Sequence, residues 1–519
     1  MKPNAPFSLL KAIRSLWPVE NHEFKKFFPM AFMFGCVLFN YTMLRSIKDS
    51  LVVTHLGAEA ISFIKLYMTF PIAILFAIIY AKMTNLMSQK QIFYSFCSLF
   101  LAFFMIFAFI IYPNQDFFHP SPEPIMALSE KSVSIFGLYD LHLSHFKWFF
   151  KIFTKWSFGL FYVFCELWGS MMLSLLFWQF ANSITKTDEA KRFYPMIGLL
   201  GNIGLLASGL MLIFLSSNTG GGGDMFGDDA KLAVSAANEG FLISSVTWAV
   251  SATIVTLIGL YMYMNNVVLA DPRFMPASVA KKREKLEMSM LDGFKVVFSS
   301  KYLGLIAILL LCYGVSINLV EGPWKHSVKQ VYTDTVSYTG FMGHLQLYTG
   351  IFTMLAFFIS AQILKRISWF SGAILTPIMI AVSGVGFFMF LVLKNTVASG
   401  GLGMFLTAFD PLYLAVIFGL MQNVASKATK YSFFDPTKEM SYIPIDVELQ
   451  TKGKAAVDIV AARLSKSFGG LLQSTIFIIF PAVGFTEVAP YFMIVFIVIC
   501  LIWLIDVKLL YNEYKKLIK

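Results

Sequence analysis

Charge is what this chain has little of. Only 14% of its 519 residues are Asp, Glu, Lys or Arg, 57% are hydrophobic, and the mean hydropathy is +0.69. Soluble domains carry about 25% charged residues. A water-soluble protein of this size has no way to hide so much apolar surface, and a disordered one needs the opposite composition. Cysteine is scarce too. Cys36, Cys97, Cys165, Cys312 and Cys500 lie in apolar runs and form no CxxC pair. That excludes a disulfide framework and a thiolate metal site, and leaves them as packing residues. The seven His are scattered, without HExxH or another metal spacing. No GxxxxGK[ST] loop is present, and Gly220–Gly223 opens no helix bearing Lys-Ser/Thr, so an ATP-driven pump is not expected. The sequence predicts no cofactor, no metal and no enzymatic activity. The stretch from Met1 to Glu23 lacks the apolar core and cleavage site of a signal peptide, and the length and Ser-rich character of a plastid transit peptide.

Long apolar runs dominate what is present. A bilayer core of ~30 Å takes about 20 apolar residues per helix. Candidate spans fall near 27–53, 61–81, 91–112, 155–182, 193–216 and 240–264, then near 302–324, 340–364, 369–393, 407–425, 455–482 and 486–505. The expected fold is an all-α polytopic membrane protein with about 12 transmembrane helices in two six-helix halves. Its parts are a tail at 1–26, a first half at 27–264, a polar linker at 265–301, a second half at 302–505 and a tail at 506–519. Pro71, Pro195 and Pro377 sit inside spans, which membrane helices tolerate.

The net charge is nevertheless +11, from 41 Lys+Arg against 30 Asp+Glu. With both termini cytoplasmic, 28 of these cations fall in inside segments and 7 in outside loops. This is the positive-inside pattern, and it makes most of the excess a topological signal. No compact basic domain points to nucleic acid. Thr219–Asp229 reads as a flexible external linker. The aromatic external segment 113–154 reads as an interfacial amphipathic piece or as packing beneath a loop. Gly198, Gly201 and Gly204 predict close helix contact on the fifth span.

Six cations remain in or at the ends of spans: Arg45, Lys48, Lys65, Lys155, Arg463 and Lys466. A charge at the helix centre costs roughly 2.5–3.5 kcal/mol, so such residues face a cavity or a partner. Arg45 and Lys48 are spaced i, i+3 and share a face with Tyr41, while Asp49 is placed to hold Arg45 when no ligand is present. Arg463 and Lys466 repeat the spacing in the eleventh span, ahead of Gly469 and Gly470. Pairing with Asp458 is the structural alternative there. Glu166 and Glu321 are the intramembrane acids, read either as substrate-site groups or as structural ion pairs. Glu321 precedes Pro323, where a helix break is expected, and Lys325 is i+4 from it. Lys65 and Lys155, near span ends, are expected to snorkel. In a two-halves transporter the site lies at the midplane between halves. The outliers on spans one, four, seven and eleven therefore predict one central cavity of cationic excess and an anionic ligand.

The motifs YTMLRSIKD at 41–49, ELWGS at 166–170, FWQFAN at 177–182, EAKRFY at 189–194, NLVE at 318–321, KYSFFD at 430–435, IPID at 443–446, KGKAA at 452–456 and RLSKS at 463–467 carry a resemblance. From about Trp17 to Tyr514 the chain resembles the non-mitochondrial ATP/ADP translocases of obligate intracellular bacteria and plastids. The resemblance implies a major-facilitator-like fold and exchange of external ATP for internal ADP, with phosphate or a proton as a possible companion. It implies a multi-pass inner membrane location in an obligate intracellular bacterium, no partner beyond lipid, and a working monomer. It puts the family's two glutamates on Glu166 and Glu321, and its two lysines on Lys48 and on one in the Lys452–Lys466 stretch. Lys466, within the span, is preferred, with Lys454 the alternative. Ser465 and Phe468 stand where the family tends to have Gly, and their bulk narrows the site. Asn182, Asn318 and Asn423 are weaker substrate candidates, as is Asn40. The competing readings are a proton-coupled importer or an NAD/ADP exchanger of the same family, and a polytopic enzyme acting on phosphorylated lipid. The last wants an Asp cluster at the membrane face, which the sequence lacks.

Overall fold

The computed structural model describes residues 19–20, 22–135, 139–219, 228–274, 300–366, 368–398, 410–445, 457 and 468–518. The helices that position the site are α1 (Phe24–His55), α2 (Ala60–Leu86), α3 (Gln89–Ile111), α4 (Trp156–Ile184), α5 (Thr187–Thr219) and α6 (Asp228–Tyr263). After the linker come α7 (Lys301–Val331), α8 (Thr335–Arg366), α9 (Trp369–Ala398), α10 (Pro411–Thr429), α11 (Phe468–Ile479) and α12 (Phe485–Ile518). Among the described residues nine helices are long and apolar enough to cross a membrane, namely α1 to α7, α9 and α12. The other three differ from the sequence expectation. α10 carries Gln422, Asn423 and Lys427 in an otherwise apolar pattern, while α8 is short over its fully described residues and α11 is described only from 468. The external linker 220–227 and most of the cytoplasmic linker, 275–299, lie outside the described residues.

Two prolines are accommodated by wide turns. A proline lacks the N–H of its own turn and crowds the carbonyl four residues back. π-helical turns at Ile64–Thr69 and Lys430–Phe434 precede Pro71 and Pro436 and absorb that misfit. A third π-helical stretch, Gly169–Leu176, follows Glu166 in α4. Pro323, by contrast, does not break α7, which is continuous through Glu321 and Lys325.

Small residues let the helices approach. Gly204 of α5 lies against the Gly35 carbonyl of α1, and Gly201 against Phe34, while Gly198 has open space. The expected glycine row therefore packs at two of its three positions. α5 also meets α8 backbone to backbone: a Cβ on Gly209 would sit 2.7 Å from the Leu347 nitrogen and 2.9 Å from the Gly343 oxygen. The segment between α3 and α4 carries a short antiparallel hairpin, Ser132–Ile135 with Tyr139–His142, and the helix Lys147–Thr154. Its Trp148 is buried against Phe63 and Phe477, so the aromatics here pack beneath the loop.

Several polar links between α1–α6 and α7–α12 gather at one end of the bundle, the end that the charge count assigns to the outside. Glu59 reaches His326 at 3.1 Å and accepts from the Phe485 N–H at 3.3 Å. Thr54 meets Thr335 at 2.8 Å, and Lys147 donates to the Pro481 carbonyl at 2.5 Å. Glu59 lies in the turn after α1. Burial pushes its carboxyl up, but the hydrogen bond and charge of His326 and two backbone N–H groups outweigh that and hold it below the usual range. This end is sealed. At the opposite end Lys26 pairs with Glu189 at 2.6 Å and Arg192 with Glu23 at 2.6 Å, linking α1 only to α5.

Candidate functional site

The intramembrane charges form one connected network. Glu166 of α4 accepts from Lys48 of α1 at 2.9 Å, and Lys48 also reaches Asp49 at 3.0 Å and lies 3.6 Å over the Tyr162 ring. Asp49 passes the chain to Lys325 of α7 at 2.9 Å, and Lys325 reaches Glu321 at 2.9 Å. Glu321 then meets Arg45 of α1 at 3.4 Å and Lys65 of α2 at 3.5 Å. Four cations face three carboxylates, so the cluster keeps a positive surplus with every acid engaged.

Helix geometry explains the order. Arg45, Lys48 and Asp49 occupy neighbouring turns of one α1 face, and Glu321 and Lys325 are stacked i, i+4 on α7. The π-helical turn at Ile64–Thr69 carries Lys65. Wide turns of this kind recur at functional sites because they re-aim a side chain without ending the helix.

Part of the network is exposed. The side chains of Arg45, Lys65 and Glu166 keep 28%, 29% and 37% of their surface exposed. Lys48 and Lys325 are shut away instead, at 4% and 3%. A cleft lined by Ser62, Lys65, Asn318, Glu321, Lys325 and Gln473 runs from the network between α2, α7 and α11.

Among the sequence candidates, the structure brings together Arg45, Lys48, Glu166 and Glu321. Tyr41 adjoins them, packed where a Cβ on Gly169 would sit 2.7 Å from its ring. Asn318 lines the cleft, its backbone carbonyl accepting from Gln473 at 2.8 Å. Asn423 is buried and donates to the Gly419 carbonyl of its own helix at 2.9 Å, and Asn182 is exposed and accepts from Tyr194 at 2.6 Å. Asn40 is buried and joins α6 through Val250 and Thr253. Arg463, Lys466 and Lys454 lie outside the described residues, as does Asp458.

Three residues have other roles than the sequence predicts. Asp49 holds Lys48 and Lys325 in direct ion pairs, with Arg45 held by Glu321. Lys65 turns inward to Glu321 and does not snorkel. Lys325, counted as an external cation, is a buried bridge. The signal that finds Lys325 is its i+4 relation to Glu321. Lys65 has only its apolar flanks to mark it. Among the described residues no group of three or more His, Cys, Asp or Glu is arranged for a metal ion.

These helices and their charged interior form a polytopic all-α fold of the major-facilitator type. A solved D-xylose-proton symporter shares the fold with a TM-score of 0.51 at 12% identity, covering 93% of this chain and 96% of that one. The partially occluded, inward-open xylose transporter XylE from E. coli gives 0.50 at 12% identity, over 92% and 96%. The model of the TLC ATP/ADP transporter family matches residues 3–514, and the chain belongs to that family. ADP,ATP carrier protein 1 of Rickettsia bellii is 46% identical over 507 residues, 97% of this chain and 96% of that protein. ADP,ATP carrier protein 3 of the same organism is 42% identical over 522 residues, the full length of both.

Proposed function

We propose that this chain is a nucleotide antiporter that exchanges ATP for ADP across a membrane by alternating access. The observation that carries this reading is the network itself: a partly exposed cation surplus strung across α1, α2, α4 and α7. Membership of the family, and the printed names of relatives more than 40% identical along nearly the whole chain, supply the ligand class.

In the mechanism, Arg45 and Lys65 receive the phosphates. Arg45 offers a bidentate fork and Lys65 a point charge. Both are held only loosely by Glu321, at 3.4 and 3.5 Å, so phosphate oxygens displace a weak partner. Lys48 is locked by two carboxylates over Tyr162 and acts through position, keeping Glu166 and Asp49 in place. Arg463 and Lys466, on the eleventh span read from the sequence, complete the site, with Lys454 as the alternative lysine. The six-plus-six division at 265–301 places the substrate between the halves. Both termini face the cytoplasm, the protein acts as a monomer, and phosphate leaving with ADP, or a proton entering with ATP, balances the charge. The membrane is the inner one of an obligate intracellular bacterium.

Uptake of labelled ATP into proteoliposomes preloaded with ADP, NAD or nothing tests the reading. Internal ADP is expected to stimulate uptake strongly. Equal uptake into empty vesicles would sink it.

A further inference from the structure

The cleft beside the network has donors to spare and a single acid. Lys65 and Lys325 line it together with Ser62, Glu321, Gly470 and Gln473. Glu321 is fully engaged: one carboxylate oxygen meets Lys325 at 2.9 Å and Arg45 at 3.4 Å, and the other meets Lys65 at 3.5 Å. The lysines are not. An ammonium has three N–H groups. Among the described residues Lys65 directs one of them at a carboxylate, over a long 3.5 Å, while Lys325 directs two, at Asp49 and Glu321, both at 2.9 Å. Gln473 donates to the Asn318 carbonyl at 2.8 Å, which takes one of its two amide N–H groups.

Charge and size narrow the guest. Among the described residues four cations of the network face three carboxylates, and a charge left unbalanced inside a membrane is costly. The cleft has a cavity volume of ≈ 10 Å³ for the centre of a guest, which is room for one particle about the size of water. A phosphate, with four oxygens around its centre, does not fit there. A monatomic anion of single charge is close to that size, and it cancels the surplus.

We infer that the cleft is a halide site, filled by chloride between Lys65 and Lys325 when no nucleotide is bound. Chloride there ties α2 to α7 and α11 in the closed arrangement and leaves when these helices part. Its displacement by phosphate at Lys65 rests on the nucleotide reading above, whereas the site itself rests on the cleft.

Gly470 allows the cleft to be filled without disturbing its walls, because a Cβ there would meet only the Ser62 carbonyl, at 3.7 Å. The experiment follows the melting temperature of the purified full chain in detergent, free of nucleotide, as sodium chloride replaces sodium gluconate at constant ionic strength. The wild type is expected to gain about 2 °C, saturating as a single site does. Gly470→Ala, whose methyl occupies the cleft, and Lys65→Gln, which removes the surplus charge, are each expected to gain less than about 0.5 °C. Binding of ATP in gluconate tests the nucleotide reading on its own. Chloride is expected to weaken that binding about threefold in the wild type and to leave it unchanged in Gly470→Ala. No gain in the wild type would overturn the inference, and so would the same gain in all three proteins, since a general salt effect needs no cleft. A chloride gain without any binding of ATP keeps the halide site and rejects the nucleotide reading. If Gly470→Ala does not fold, Lys65→Gln decides: an undiminished chloride response there overturns the site.

Discussion

Asp49 is the residue on which the network's internal balance turns. It lies between two buried ammonium groups, Lys48 and Lys325, at 3.0 and 2.9 Å. Removing one partner from a buried ion pair costs about 3–5 kcal/mol, because the survivor is left unpaired. Asp49→Asn is therefore expected to lower the melting temperature of the detergent-purified protein by many degrees. Adding Lys325→Gln removes one of the stranded cations, and the double variant is expected to regain at least half of the loss. If the two effects simply add, Asp49 and Lys325 are not coupled. Asp506 of α12 is the opposite case. Among the described residues both its carboxylate oxygens are buried without a hydrogen-bond partner. An unpartnered buried polar group destabilises, so Asp506→Asn is expected to melt at or above the wild-type temperature. A fall of several degrees would show that the carboxylate does have a partner.

Contact between elements depends on where side chains are missing. At the α5–α8 crossing, the Gly209 Cα faces the backbone of Leu347 and Gly343, which has no flexible end to yield. Gly209→Val is expected to hold α5 and α8 apart, slow exchange by more than about tenfold, and expose the sealed end. Ser62, buried in the wild type, reports on this: as Ser62→Cys it should label readily from that end in the Gly209→Val background and poorly alone. Equal labelling in both would refute a role for this crossing in the seal. At this scale the sequence was legible wherever an apolar run was long. It was less so where a helix carries polar residues, because a polar face looks like the end of a span. That is why Lys427 reads as a loop cation and α10 as ending at 425. Pairing was harder still: spacing relates Glu321 to Lys325 within one helix, whereas Asp49 to Lys325 and Lys65 to Glu321 depend on how helices dock. The cleft beside Asn318 has no local sequence signal, since it exists only between α2, α7 and α11.

For the whole molecule, Glu321 is the pin. Its carboxylate meets Lys325 on its own helix, and Arg45 and Lys65 on helices of the first set. Opening the sealed end requires α1 and α2 to part from α7, which breaks these links inside the bundle, where each lost ion pair leaves a poorly hydrated charge. A bound polyanion supplies the departing cations with new partners and lowers that cost, while an empty carrier has no substitute. On this reading exchange is expected to be obligatory, with the unloaded protein held shut. Removing the pin should weaken that rule more than it weakens transport. Glu321→Gln is expected to exchange ATP more slowly than wild type, since Arg45 and Lys65 repel one another without it. It is also expected to take up ATP into empty proteoliposomes, so that the ratio of uptake into ADP-loaded over empty vesicles falls toward one. Glu321→Asp, which keeps the charge, is expected to keep a ratio well above one. A Glu321→Gln protein that transports measurably yet remains as dependent on internal ADP as wild type would show that coupling resides elsewhere than in this carboxylate.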